Sequence, residues 1–106
     1  MNLEVHGHQL EVTDALRAYA SEKFQRLGRH FDYPFDSKIQ LSIDKPHHCA
    51  EGTLTANGRT VHAEASAPTM YAAIDMLVDK LDRSLQKLKE RMVDHGRGDS
   101  MSRQQA

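Results

Sequence analysis

Tryptophan is absent, cysteine occurs once, proline three times, and aromatic residues make up only 6% of the chain. A single thiol, Cys49, excludes an internal disulfide and favours a reducing compartment. No apolar run approaches the ~20 residues of a membrane-spanning helix, and no heptad pattern is sustained, so neither a membrane span nor a coiled coil organises the chain. The opening residues MNLEVHGHQLEV lack the basic segment, apolar block and small-residue cleavage site of an export signal. The expected location is therefore cytoplasmic, with no membrane partner. A glycine-rich phosphate loop, a serine nucleophile elbow and paired carboxylates in an apolar setting are also missing, which leaves an enzyme without a site and implies no cofactor.

An excess of positive charge is lacking too. Fourteen Lys/Arg stand against fifteen Asp/Glu, for a net charge of −1 and a pI near 6.6, whereas a simple nucleic-acid binder is usually basic overall. Location changes this reading, because the surface field depends on arrangement as well as on sum. Residues 14–30 and 69–93 hold nine bases against six acids, while the remainder holds five against nine. The surplus of positive charge sits on two segments.

At 106 residues there is room for one domain with one modest core. Leu3 and Val5 alternate with polar neighbours over residues 2–7, as in a strand with one buried face. Thr13 can cap a helix from about Asp14 to about His30, in which Leu16, Ala20, Phe24, Leu27 and Phe31 recur at spacings of four and three. YPFDS at 33–37 reads as a loop. Ile39, Leu41 and Ile43 alternate in a second strand that Pro46 ends. Asn57-Gly58 fits a type I′ hairpin turn, and a turn there pairs Leu54 with Val61 and Gly52 with Ala63. Thr69 can cap a long helix with Met70, Ile74, Leu77, Leu81, Leu85, Leu88 and Met92 in one apolar stripe. From Asp94 the sequence DHGRGDSMSRQQA has no periodicity, so residues 1–93 are expected to form the domain and 94–106 a disordered tail, its Arg-Gly-Asp triplet a chance match. The order βαβββα predicts an α+β fold: a four-stranded sheet with both helices packed on one face and the other face wet.

At about 100° per residue, Lys80, Arg83, Lys87 and Arg91 of the second helix fall in a sector about 80° wide, roughly 115° from its apolar stripe. Asp75, Asp79, Asp82 and Glu90 occupy another sector. In the first helix Lys23, Arg26 and His30 share a sector about 60° wide beside the apolar stripe. With the helices side by side, these flanks are expected to line the groove between them or its rim, as a positive strip for a ribose-phosphate backbone. The bland alternative is solvated helix surface with i,i+4 pairs such as Asp79 with Arg83.

Seven histidines raise the question of a metal, through His6-x-His8, His47-His48-Cys49 and His62, yet no second pair at a recognised zinc spacing completes a tetrahedral set. No structural or catalytic metal is expected. Cys49 has no identifiable His partner supported by Asn or Asp and reads as a passive thiol. Tyr19, Tyr33 and Tyr71 read as residues that finish the edge of the core rather than as base-stacking platforms.

Several blocks resemble a known family. Val12-Thr13-Asp14-Ala15-Leu16-Arg17, Lys23-Phe24 followed by Phe31-Asp32, the Asn57-Gly58 hairpin and, most specifically, Met70-Tyr71-Ala72-Ala73-Ile74-Asp75 followed by Asp79-Lys80-Leu81 are similar to the ribosome hibernation factors. That family includes the short hibernation-promoting factor and protein Y. The resemblance implies a fold like that of double-stranded-RNA-binding domains, with two parallel helices. It also implies a site on the small ribosomal subunit and its rRNA, in the mRNA/tRNA channel, where occupancy inhibits translation in stationary phase or stress. Short members act with a separate ribosome modulation factor to promote inactive ribosome dimers, and the free protein is expected to be monomeric. The family's RNA contacts carry over to Lys23, Arg26, Lys80, Arg83, Lys87, Lys89 and Arg91; the family varies at Arg29 and His30.

Thr69 stands where close relatives often have Asp, an exchange of one capping residue for another. The stretch after Val93 is shorter than the acidic tail of protein Y and has no acidic run, which favours a promoter of dimers over a protein Y-like inhibitor that holds single particles. Two other readings come from different classes. One is a protein-binding regulator of a transcription factor, suggested by an older family label, and the other is a histidine-dependent metalloenzyme.

Overall fold

Alternating apolar and polar residues build four strands, β1 (Asn2–Gly7), β2 (Asp36–Asp44), β3 (His47–Ala56) and β4 (Arg59–Ala67), and two amphipathic stretches build α1 (Asp14–His30) and α2 (Met70–Gly98). The protein is seen in a computed structural model that describes residues 2–30, 34–56 and 58–98, with residues 30 and 92–98 as backbone only. The strands form one sheet in the order β1-β2-β3-β4, parallel between β1 and β2 and antiparallel elsewhere. A parallel pair needs a crossover, and α1 supplies it. The expected α+β order is found.

Register follows the hydrophobic pattern. Leu54 pairs with Val61 and Gly52 with Ala63, as the hairpin reading requires. Gly58 has φ of 77°, the left-handed conformation that a type I′ turn asks of its second central residue; Asn57 lies outside the described residues. One face of the sheet therefore presents Val5, Ile39, Leu41, Ala50, Leu54 and Ala65 to the helices. Phe24 and Leu27 from α1 and Ile74, Leu77 and Leu81 from α2 complete a core in which each is fully buried. Gly52 marks where α2 rests on β3: a Cβ built there would stand 3.0 Å from Leu81 Cδ1 and 3.2 Å from Leu77 Cδ2.

Both helices start at their expected threonines. Thr13 Oγ1 accepts from the Leu16 amide and Thr69 Oγ1 from the Ala72 amide, each at 3.1 Å. Such caps are worth about 1 kcal/mol apiece. The helices run parallel, since Tyr19 meets Tyr71 and Lys23, four residues on, meets Asp75, four residues on.

Two expectations need correction. The helix does not stop near Val93 but continues to Gly98, so residues 94–98 of the expected tail are helical in their backbone. Loss of apolar periodicity removes packing, not the hydrogen bond that each added residue gains once a helix is nucleated. Residues 99–106 lie outside the described residues, as do Phe31 and Tyr33. Ile43, on the helix side of β2 by alternation, is 48% exposed, because the end of the β2–β3 hairpin has no helix over it.

Candidate nucleic-acid interface

The seam between the helices is built around Tyr19. Its hydroxyl donates to Asp75 Oδ1 at 2.8 Å, and its ring meets that of Tyr71 edge to face, with centroids 4.8 Å apart. Lys23 extends over the Tyr19 ring, 5.2 Å from its centroid, with Nζ 3.6 Å from Asp75 Oδ1. Only 19% of the Lys23 side chain is exposed, so its ammonium is largely committed to this cluster. Arg26 lies one turn on and is exposed.

The hydrogen bond to Asp75 pushes the Tyr19 phenol above its ordinary range, with desolvation adding to the shift and the charge of Arg26 opposing it. That bond exists only while the phenol keeps its proton. Its contribution is intact below a tyrosine's ordinary value of about 10 and is lost as pH rises through the elevated folded value. Ultraviolet titration should therefore show one tyrosine ionising late, and Asp75→Asn should return it to the ordinary range. An unchanged titration curve in the variant would contradict the contact.

Helical spacing carries the Asp75 flank of α2 through Asp82 to Lys89, both half-buried. The α2 flank that faces α1 is thus the one bearing Asp75, Asp82 and Lys89. Lys80 points the other way, donating from Nζ to the Glu64 carbonyl oxygen on β4 at 2.7 Å. Lys87 and Arg91 follow Lys80 on that outer flank, and Arg83 stands between it and the top of the helix.

The expected single strip between the helices is therefore not found. Lys23 and Arg26 of α1 face α2, and Lys89 follows farther along that flank of α2, while Lys80, Arg83, Lys87 and Arg91 lie across α2 on the side of β4. Burial of the apolar stripe fixes how α2 is turned and the topology puts α1 beside its Asp75 flank, so Asp75 meets Lys23 and the basic sector is left outside. The outer row is not neutralised. Among the described residues Arg83, Lys87 and Arg91 are exposed and make no hydrogen bond or ion pair, and Asp79 does not pair with Arg83.

Sequence reading missed the Tyr19–Asp75 contact and the reach of Arg17, whose Nη1 donates to the Val5 carbonyl oxygen at 3.3 Å on the far flank of α1. The first joins residues 56 apart and leaves no local pattern. Of the histidine sets weighed above, neither His6-x-His8 nor His47-His48-Cys49 converges among the described residues. His6 instead contacts Glu4 at 3.0 Å. No helix of the described residues is long and apolar enough to cross a membrane.

Comparison with known proteins adds to this geometry. The Sigma 54 modulation protein / S30EA ribosomal protein family matches residues 3–93. A ribosome hibernation promoting factor of Azotobacter vinelandii is 46% identical over 98 residues, 92% of each chain. One from Escherichia coli K12 is 40% identical over 95 residues, 90% of this chain and all of the relative. Among solved structures, the N-terminal domain of Thermus thermophilus Protein Y superposes with a TM-score of 0.78 at 35% identity, covering 83% of this chain and 99% of that one. A ribosomal subunit interface protein from Coxiella burnetii gives the same TM-score at 26% identity, covering 85% and 99%.

Proposed function

Because this chain belongs to the Sigma 54 modulation protein / S30EA ribosomal protein family, we propose that it is a ribosome hibernation factor whose helix layer grips the RNA of the small subunit. The reading rests chiefly on the row of Lys80, Arg83, Lys87 and Arg91, where three of four cations have no partner within the described chain. Bases without internal partners are available to phosphates, and phosphate contacts position a protein on RNA. Lys23 and Arg26 form a second, more screened group across α2, with Lys89 farther along that same flank of α2, so the contact is two-legged and straddles the top of that helix.

Function follows from occupancy alone. A domain seated in the mRNA/tRNA channel excludes both ligands, and no bond is made or broken. Such a factor works in the cytoplasm, is reversible, and suits stationary phase or stress. Residues 94–106 hold two acids and two arginines with no acidic run, which supports a promoter of ribosome dimers acting with a modulation factor over a protein Y-like holder of single particles.

Sucrose-gradient profiles of ribosomes with and without added protein test the proposal. A shift toward paired ribosomes is expected in the presence of the modulation factor. Accumulation of single ribosomes would make the protein a holder of single particles, and an unchanged profile would overturn the reading. Salt separates it from a protein-binding regulator: with six to eight phosphates neutralised, affinity should fall about 10³-fold or more between low and moderate salt, whereas apolar docking would give a shallow slope.

A further inference from the structure

The sheet face turned away from the helices gathers three potential ligands. Glu51 on β3 and His62 and Glu64 on β4 each offer a ligand atom, all within 4.8 Å of one another. His62 Nε2 lies 3.9 Å from Glu51 Oε1 and 3.9 Å from Glu64 Oε2.

Two features bring this about. Register sets Glu51 directly opposite Glu64, and like charges facing each other across antiparallel strands destabilise the pairing unless something between them compensates. Thr53, opposite His62, holds its Oγ1 3.1 Å from His62 Nδ1. With Nδ1 donating to that hydroxyl, Nε2 presents its lone pair to the gap between the carboxylates. This is how ligating histidines are usually oriented, by a partner on the other ring nitrogen.

The geometry points to a divalent-cation site of the zinc class, formed by Glu51, His62 and Glu64 on the solvent face of the β3–β4 hairpin. One imidazole nitrogen and two carboxylate oxygens suit zinc, whereas magnesium and calcium favour all-oxygen shells. Metal–ligand distances of about 2.1 Å put tetrahedral ligand atoms roughly 3.4 Å apart. The 3.9 Å separations close to that by rotation of exposed glutamate side chains, 49% and 74% accessible. Water fills the remaining position, and with no burial to hold the carboxylates the affinity is micromolar. A bound ion staples β3 to β4 and leaves the helix layer untouched. The rival use of the same geometry is an imidazolium bridging the two carboxylates without metal.

Calorimetric titration of ZnCl2 into the untagged full chain at neutral pH distinguishes them. One equivalent should bind in the micromolar range. His62→Gln and Glu64→Gln should each weaken it at least tenfold, while His6→Gln and His47→Gln leave it unchanged and excess MgCl2 does not compete. Circular dichroism verifies that each variant stays folded, as expected for exposed positions. Absence of zinc binding by the wild-type chain, or equal affinity in His62→Gln, would overturn the site. Because the ligands lie on the face opposite the helix bases, ribosome co-sedimentation of His62→Gln should match wild type, so this inference and the proposed function fail separately.

Discussion

Reversing Arg83, Lys87 and Arg91 together to glutamate is expected to abolish co-sedimentation with small ribosomal subunits while leaving thermal unfolding nearly unchanged. All three are exposed and without partners among the described residues, so folding loses little; new like-charge neighbours on the helix cost a few tenths of a kcal/mol each. Binding loses far more. At about 1.5 kcal/mol per charge-assisted contact, three contacts amount to on the order of 10³-fold in affinity. Lys80 is left out because its bond to the Glu64 carbonyl also fastens α2 to the edge of β4. Lys23→Glu should weaken binding less, since Asp75 already shares that ammonium. Undiminished sedimentation of the triple variant would remove the outer flank of α2 from the contact.

The second large effect lies in the core, where α2 rests on β3. Leu81→Ala should cost about 2–5 kcal/mol by truncating a fully buried side chain. Gly52→Ala should cost about 1–3 kcal/mol, because the new methyl group must displace Leu81 Cδ1 from 3.0 Å. In the double variant the cavity left by Leu81 accepts that methyl group. The combined loss, read from urea denaturation, should fall short of the sum by about 1 kcal/mol or more. Strict additivity would mean that Leu81 is not the side chain the new methyl group has to displace. Against a total stability of about 5–15 kcal/mol, either single change is a large fraction.

Much of this architecture is legible in the sequence. The residues of β1 and α1, the capping threonines and the β3–β4 register all follow from patterns of period 2 or 3.6 and from turn chemistry, each contained within a short window. Six of the seven bases fall on flanks of their own helices by the same arithmetic, and Lys89 enters through the family resemblance alone. Exposure of Ile43 was not legible, because alternation tells which side of a sheet a residue faces and not whether a helix lies over it. Nor was the continuation of α2 to Gly98, since backbone hydrogen bonding carries a helix past the end of its apolar stripe.

Local sequence determined the order of elements, the buried face of each, and the segregation of acid from base around α2. Tertiary structure alone decided which flank of α2 meets α1, and so parted the outer basic row from Lys23 and Arg26; it also drew Glu51, His62 and Glu64 into one cluster. The physical reason is one of range. Side-chain direction on a single helix or strand is set by its own repeat, but the neighbour it faces depends on strand order and on the hand of the β1-α1-β2 crossover, which follow from sheet twist and packing among residues far apart in the chain.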